Sequence, residues 1–212
     1  MKQLRSIFLI LVLLAMWNPL HARIIVDKSE LLPLYDSITL DTMVGYTDLQ
    51  SALLQPEKVI KLVLRKMKFT EFPIELWKFP NLQYLDLSKN KITEVPDSIN
   101  FFVNLQVLHL SKNNVEFLPR EIGDLSNLMI LDINQNELTS LPPQVGKLKK
   151  LRYLDLWSNN LSIFPDELKE LSETLLVLDL RVILINAETQ EKIRLMLPKT
   201  TIYMSPPCKC DQ

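Results

Sequence analysis

One pattern of apolar and polar positions recurs five times along the chain, each time over a block of 23 residues. Positions 1, 4, 6, 11, 14, 18 and 21 of every block are apolar, and position 15 is always proline. Position 9 is asparagine in blocks two to five. A fixed period of this length is typical of a solenoid, in which each repeat buries its apolar face against its neighbours. The blocks begin at Val59, Leu82, Leu105, Leu128 and Leu151.

Each block is predicted to contribute one short strand, formed by positions 3 to 5. Because side chains alternate along a strand, position 4 is expected to point into the core and positions 3 and 5 outward. Stacked blocks would form a curved parallel sheet on the concave side, and the proline at position 15 would bend the chain towards short helical or 3-10 segments on the convex side. The asparagines at position 9 are expected to bond loop backbone groups that would otherwise be buried without partners. This structural ladder consists of Asn90, Asn113, Asn136 and Asn159.

The second half of the blocks carries a more specific motif, Leu-Pro-x-x-apolar-x-x-Leu, which residues 118–125 and 141–148 match closely. Together with the first half of each block, it resembles the leucine-rich-repeat family, in its 23-residue subclass, over about residues 47–204. The layout is similar to that of small exported bacterial members of this family. The resemblance implies an α/β solenoid shaped as an arc, and a role in binding other proteins without enzymatic activity.

Both ends of the solenoid depart from the pattern, as terminal repeats that close the core against water do. The segment from Thr47 to Gln50 is a capping-box pattern that predicts a short helix before block one. A degenerate sixth block follows the fifth, and Asn186 is predicted to cap a helix that runs to about Leu197. Residues 200–203 favour a final strand. These signals predict helical caps at both ends of the sheet.

The first 22 residues are predicted to be a secretory signal peptide. Lys2 and Arg5 precede an apolar run over residues 7–17, and residues 20–22 offer a cleavage site. The run is shorter than the roughly 20 residues that span a bilayer, although an uncleaved anchor or a buried helix is an alternative. We therefore expect an exported protein (secreted, periplasmic or on the cell surface) with no membrane insertion after cleavage. The chain is predicted to divide into a signal peptide (1–22), an N-terminal segment and cap helix (23–58), five repeats (59–173), a degenerate sixth repeat with the C-terminal cap (174–204), and a flexible tail (205–212). Residues 23–46 show no period.

Charge and cysteine usage narrow the classes of partner. Cleavage would leave 22 basic against 25 acidic residues, a formal charge of −3, which gives no reason to expect nucleic acid or an acidic membrane as partner. A monomer is expected. Cys208 and Cys210 are too close in sequence for an easy disulfide. They are interpreted as part of a tail without a set role, with a strained bond, free thiols, a link to another molecule or an incomplete metal site as alternatives.

The residues that catalysis or metal binding requires are scarce. Three glycines in the whole chain exclude glycine-rich phosphate loops, and His109 is the single histidine beyond residue 22. None of the common hydrolase or nucleotide-binding motifs occurs. Two cysteines alone cannot complete a tetrahedral zinc site. We therefore expect no catalytic residue, no metal and no cofactor.

Polar and aromatic side chains line up only at the outward strand positions. Position 5 places carboxylates and one imidazole on successive strands about 4.8 Å apart, which forms either an acidic site for a cationic ligand or an ordinary solvated face. Positions 3 and 7 add tyrosine, tryptophan and arginine, which dominate interface hot spots, although Trp157 could instead pack over a neighbouring loop. The predicted partner-binding residues of the concave face are Tyr84, Asp86, His109, Asp132, Tyr153, Asp155, Trp157, Asp179 and Arg181.

These observations favour an exported, non-enzymatic module that binds another protein or a peptide through its concave sheet. Recognition of a carbohydrate or another cell-wall polymer is the alternative, because tyrosines could stack on sugar rings and aspartates could bond hydroxyl groups. A hydrolase that uses Asp and His chemistry would need a pocket, which an open concave sheet does not supply.

Overall fold

The computed structural model describes residues 31–208, so the predicted signal peptide and the last four residues lie outside the described range. Within that range, the predicted strands form a single parallel sheet in which they follow one another in chain order. This arrangement confirms the predicted solenoid with its curved parallel sheet. The strands are β1 (Lys61–Val63), β2 (Tyr84–Asp86), β3 (Val107–His109), β4 (Ile130–Asp132), β5 (Tyr153–Asp155), β6 (Val177–Leu180) and β7 (Thr201–Met204).

The register of the sheet follows the sequence period. Each residue of β1 to β4 pairs with the residue 23 positions later, so that Leu85 faces Leu108 and Leu108 faces Leu131. The leucines at position 4 are completely buried or nearly so, and they form the floor of one continuous core. Position 4 therefore points inward as predicted, because each repeat can bury its apolar face only against the next one.

Short 3-10 helices line the side opposite the sheet in each of the five blocks. Each of these helices begins directly after the proline at position 15, whose φ lies between −63° and −73°. Proline fixes φ near this value and needs no N–H partner at a helix start, so it sets the bend in every block. The predicted convex segments are confirmed, as Ile74–Lys78, Asp97–Phe101, Arg120–Asp124, Pro143–Lys147 and Asp166–Leu171.

Helices cap both ends of the sheet, and one detail of the predicted N-terminal cap is wrong. Helix α2 (Leu49–Ala52) is capped by Asp48, whose side chain accepts the Ser51 N–H at 2.8 Å, and not by Thr47. At the other end, helix α3 (Ala187–Met196) begins after Asn186 as predicted. No helix within residues 31–208 is both long and apolar enough to cross a bilayer.

The segment before α2 shows no period in the sequence, yet it is ordered along the sheet. Helix α1 (Ser37–Thr42) starts after Asp36, whose carboxylate accepts the N–H groups of Ile38 and Thr39. Beyond α1, the chain continues to Tyr46, which forms a bridge to Leu62 of β1. Residues 40–46 therefore lie beside the first strand of the sheet.

The beginning of the predicted flexible tail contacts the sixth block. Ser205 accepts the Val182 N–H through its hydroxyl at 2.8 Å, and its carbonyl accepts a bond from Gln190 at 3.0 Å. Cys208, which is disulfide-bonded, donates its backbone N–H to Ile185 O. The chain is thus held against the C-terminal cap up to residue 208.

Candidate functional site

The concave face consists of columns of outward-pointing side chains that the register brings side by side. The column at position 5 runs from Asp86 through Asp179, and β7 extends it because Asp179 pairs with Tyr203. The strand over residues 200–203 was predicted, but Tyr203 was not assigned to the concave face because β7 lacks the repeat pattern. The position-5 column is Val63, Asp86, His109, Asp132, Asp155, Asp179 and Tyr203, and the position-3 column is Lys61, Tyr84, Val107, Ile130, Tyr153, Val177 and Thr201.

Every aspartate of the position-5 column closes a turn at the end of its strand. In Asp132, Asp155 and Asp179, Oδ1 accepts the backbone N–H two residues later, at 3.2, 3.0 and 3.0 Å. Asp86 makes the same bond to Ser88 at 2.8 Å. Short polar side chains stabilise turns in this way. The aspartates therefore have a local structural role, and one oxygen of each is already used.

The second oxygen of the last three aspartates faces a different partner in each case. His109 Nδ1 lies 3.0 Å from Asp132, and Asn134 Nδ2 donates to Asp155 at 2.7 Å. Arg181 holds Asp179 through two nitrogens, the shorter contact being 2.6 Å. Among the described residues, Asp155 forms no salt bridge.

The pKa of the Asp155 carboxyl is raised above the ordinary value of 3.8, chiefly because the group is partly buried. The bonds from Asn134 and from the Trp157 N–H oppose this rise, while the neighbouring charges of Asp132 and Asp179 add to it. Ionisation of Asp155 is thus less favourable than that of an aspartate in water, and a cation bound nearby would restore it.

Aromatic side chains accompany these carboxylates at the C-terminal end of the face. Tyr153 is 46% exposed, Tyr203 is 48% exposed, and Trp157 is partly exposed at the edge of the sheet. The Arg181 guanidinium lies 5.5 Å from the centre of the Tyr203 ring. We call this surface the C-terminal patch, and it consists of Tyr153, Asp155, Trp157, Asp179, Arg181 and Tyr203.

The N-terminal half of the face is less accessible, because residues 31–42 lie along it. Lys61 donates from Nζ to the carbonyls of Leu40 and Asp41, at 2.8 Å each, and its Nζ lies 4.3 Å from the centre of the Tyr84 ring. Tyr84 is half-buried, and Asp86 is only 5% exposed. The structure therefore leaves these two predicted binding residues less exposed than Tyr153.

His109 connects the two halves of the concave face. Its ring centre lies 5.4 Å from that of Tyr84, and its Nδ1 faces the Asp132 carboxylate. Of the nine predicted binding residues, the structure brings five together in the C-terminal patch. It places Tyr84, Asp86, His109 and Asp132 in a separate row on β2 to β4.

A basic rim that sequence analysis missed lies beside the first three strands. Position 8 adopts a left-handed backbone in every block, and it is lysine in blocks one to three, with φ of 60–61°. The positive charges of Arg65, Lys112 and Lys66 lower the pKa of Lys89, which shows that these cations share one surface. The signal was present in the sequence as Lys66, Lys89 and Lys112. Cations thus border the face at its N-terminal end, and carboxylates at its C-terminal end.

The concave columns of residues 31–208 contain no metal centre. Within residues 31–208, no group of three His, Cys, Asp or Glu side chains could hold a metal ion. A depression of about 670 Å³ lies between α3 and residues Lys169 and Ser172, and none of the concave columns lines it. The geometry on the concave side suits contact with an extended partner surface.

Comparisons with known proteins agree with this architecture. The profile of a family described as "Leucine-rich repeat region" matches residues 72–200, more than half of the chain. No curated protein matches the sequence. Among solved structures, a leucine-rich-repeat protein of Leptospira interrogans is 28% identical, with a TM-score of 0.63, and the match covers 79% of this chain and 49% of that one.

Two further structures share the fold. The plant peptide hormone receptor RGFR1, solved in complex with RGF2, is 29% identical, with a TM-score of 0.55, and the match covers 67% of this chain and 23% of the receptor. An internalin from Listeria monocytogenes is 24% identical, with a TM-score of 0.61, over 76% of this chain and 47% of that one. The chain spans at most about half the length of these proteins.

Proposed function

Because the chain belongs to the leucine-rich-repeat family, we propose that it is an exported, non-enzymatic module that binds another protein or a peptide through its concave sheet. Export is supported by the charged, apolar and cleavage regions of residues 1–22. Peptide binding is supported by the plant receptor RGFR1, which is similar over two thirds of this chain and was solved in complex with RGF2.

The C-terminal patch is the part of the face that binds the partner in this proposal. The observation that carries it is the exposure of Tyr153 and Tyr203 on neighbouring columns, with Trp157 at their edge. Large, rigid aromatic side chains bury much area at a small entropic cost, so they dominate binding energy in interfaces. The row on β2 to β4 contributes less in this proposal, since it offers no aromatic side chain as exposed as Tyr153 or Tyr203.

Recognition of a carbohydrate is the weaker candidate because few oxygens remain free for hydroxyl groups. One oxygen of each aspartate closes a turn, and Asp179 is also held by Arg181. A protein partner needs mainly apolar contact and one or two complementary charges, which the patch offers.

Replacing Trp157 or Tyr153 with alanine is expected to weaken the complex at least tenfold, equivalent to about 1.4 kcal/mol. The loss should appear as faster dissociation, because the side chain contributes buried area and not long-range attraction. Surface plasmon resonance with a partner captured from the native extracellular surroundings measures both rates.

The matched control for this pair is Phe117→Ala. Phe117 is 59% exposed but lies outside the strands, so its loss removes an exposed aromatic ring without touching the concave columns. A partner that tolerates both concave variants as well as it tolerates the control would contradict the proposal. Loss of a bound glycan in place of a bound protein would favour the carbohydrate alternative.

If the partner places a cation beside Asp155, acidification is expected to weaken binding at a pH above the ordinary aspartate value of 3.8. The sign follows from the raised pKa, because a carboxyl that holds its proton more tightly becomes neutral earlier as pH falls. Asp155→Asn should bind more weakly at neutral pH and show a flatter pH profile. Calorimetric titrations at neutral and acidic pH, with Asp124→Asn as an exposed control, measure this dependence.

A further inference from the structure

Four amide side chains hold the main chain of residues 32–35, and they lie where the first repeat meets the second and the second meets the third. They are Asn81 and Asn104 at position 23 of their blocks, and Gln83 and Gln106 at position 2, and we call them the amide clamp. All four are buried, with Gln83 completely so and Asn104 8% exposed. Buried amides are costly unless they are bonded, so their partners define what the clamp accommodates.

The asparagine pair holds the peptide unit of Leu32 from both sides. Asn81 Oδ1 accepts the Leu32 N–H at 2.6 Å, and Asn104 Nδ2 donates to Leu32 O at 3.3 Å. A bond of 2.8 Å from Asn81 Nδ2 to Glu57 O fixes the orientation of the Asn81 amide. The acceptor of this pair is therefore positioned by the chain just before the first repeat and not by the segment that it holds.

The glutamine pair holds the main chain of residues 33 and 35 in the same way. Gln83 accepts the Tyr35 N–H at 2.8 Å and donates to Pro33 O at 2.9 Å. Gln106 donates to Tyr35 O at 2.9 Å and also to the Gln83 side chain at 3.0 Å. The two glutamines thus form one unit that matches the donors and acceptors of an extended chain.

Every bond from the clamp to the segment reaches a backbone atom, and the large apolar side chains of the segment remain partly exposed. Leu32, Leu34 and Tyr35 are 38%, 42% and 39% exposed, which is high for large apolar side chains. The clamp therefore recognises main-chain geometry and does not select the side chains of the segment. Pro33 favours an extended backbone at the residue before it and lacks an N–H, which suits a clamp that bonds no donor at that position.

The residues that anchor this segment specifically lie farther along the chain. Leu40 is completely buried, and Lys61 bonds the last carbonyls of α1. Residues 36–38 between the clamp and this anchor are exposed. The segment is thus fixed by the clamp at one end and by Leu40 at the other, and few apolar contacts hold the part within the clamp.

The clamp coincides with the segment and is absent from later repeats. Position 2 is Met129 in block four and Arg152 in block five. Asn127, at position 23 of block three, donates to Val103 O in the preceding block, as Asn81 does to Glu57 O. The glutamines at position 2 therefore do not belong to the scaffold of every repeat. They form a site built for a main chain at one place on the solenoid.

We propose that the amide clamp is a second binding site, which accepts an extended segment of a partner protein through main-chain hydrogen bonds. Residues 32–35 occupy this site within the chain and must leave before the partner enters. Local opening is enough to release the segment. Its side chains are exposed, it is held by side-chain-to-backbone hydrogen bonds, and its departure breaks no strand pairing. This site is separate from the C-terminal patch, and it stands or falls without the function proposed for that patch.

The test uses the full chain and a fluorescent synthetic peptide with the sequence of residues 31–42. The wild-type protein should bind the peptide weakly, since its own segment occupies the clamp at a high effective concentration. Leu40→Ala loosens the internal segment without changing the clamp and should bind the peptide at least tenfold more tightly. Circular dichroism tests whether the Leu40→Ala variant is folded. If this variant is unfolded, the same measurement is made with Lys61→Met, which removes the bonds to α1.

Two N-methylated peptides distinguish main-chain recognition from nonspecific binding. N-methylation of Tyr35 removes the donor that Gln83 accepts, so binding should fall at least tenfold. N-methylation of Leu34 is the matched control, because within residues 31–208 its N–H donates no hydrogen bond. Binding that is equally sensitive to both changes, or absent in both loosened variants, would overturn the proposal.

Hydrogen exchange of the unmodified protein gives an independent measurement. The amides of Leu32 and Tyr35 should exchange at least a hundredfold faster than those of β2 and β3, because the segment opens without unfolding of the sheet. Exchange of the segment at the rate of the sheet would show that it leaves only on global unfolding, and this would also overturn the proposal.

Discussion

Replacing Gly123 with alanine is expected to lower the free energy of unfolding by about 2–3 kcal/mol, as an overpacked core substitution does. A Cβ atom at this position would lie 2.4 Å from Gln144 O and 2.7 Å from Gln144 Cβ, closer than non-bonded atoms approach. The oxygen belongs to the backbone of the next 3-10 helix, which cannot move without shifting the whole repeat. The substitution would therefore separate two stacked repeats.

The conformational term opposes this effect but is smaller. No glycine among the described residues has a positive φ, so alanine can adopt the backbone of Gly123 without strain. By restricting the unfolded chain, alanine would contribute about 0.4–1 kcal/mol of stability. The loss of stability caused by steric overlap with the next repeat should exceed this gain.

Urea unfolding followed by circular dichroism measures the change, and Asp124→Ala is the matched control. Asp124 is the exposed neighbour in the same 3-10 helix, and its replacement should change stability by about 0.5 kcal/mol or less. Gly146→Ala should resemble Gly123→Ala, since its Cβ would lie 2.5 Å from Glu167 O. If both glycine variants were as stable as the control, the close stacking of the 3-10 helices would be contradicted.

The repeat pattern predicts the sheet because each structural feature is encoded once per block. Leucines at position 4 fix which face is buried, and proline at position 15 fixes where the bend occurs. A shift of one residue would expose a whole column of leucines, so the register has no close competitor. The fold was therefore predictable from apolar periodicity together with one proline per block.

The N-terminal segment could not be predicted in the same way because its contacts do not repeat. Residues 32–35 are fixed by Gln83 and Gln106, which lie about 50 and 70 residues away in sequence. Local signals were present in part, since Asp36 caps α1 through Thr39. However, a short cap does not indicate which surface the helix covers.

The prediction for the concave face was limited in the same way, because the repeat pattern does not show which parts of the face other segments cover. Periodicity places Asp86 and Asp155 in one column, and the structure does so. It is the path of residues 31–42, together with the approach of Arg65 to within 3.6 Å of Asp86, that distinguishes the two ends. Accessibility depends on what lies over a column, and the repeat does not encode that.

Alanine at Asn113 or Asn136 is expected to lower the free energy of unfolding by about 1–3 kcal/mol, because a buried polar group left without a partner costs about that much. Asn113 Oδ1 accepts the Ile92 N–H at 3.0 Å, and its Nδ2 donates to Leu87 O and Leu110 O at 3.1 and 2.9 Å. The substitution leaves the Ile92 N–H without a partner and removes one of two side-chain bonds from each carbonyl, because Leu87 O also accepts from Asn90 and Leu110 O from Asn136. Differential scanning calorimetry and urea titration measure the loss.

Asp132→Asn is the matched control for the asparagine variants. It alters a carboxylate on the sheet face but retains the oxygen that accepts the Asn134 N–H, so stability should change by about 0.5 kcal/mol. Equal destabilisation by Asp132→Asn and Asn113→Ala would show that the buried amide is no more important to folding than a side chain on the concave face.

Asn113→Asp separates the two halves of the amide. Aspartate has the same shape and keeps the acceptor for Ile92 N–H, but it replaces a donor by a second acceptor facing Leu87 O and Leu110 O. Three oxygens would then meet in a buried site, and the carboxyl could relieve the repulsion only by taking up a proton. The variant should therefore be at least as unstable as Asn113→Ala at neutral pH and should recover stability as pH falls. A variant close to wild type at neutral pH would show that the two donated bonds contribute little, and that the ladder acts through its acceptors alone.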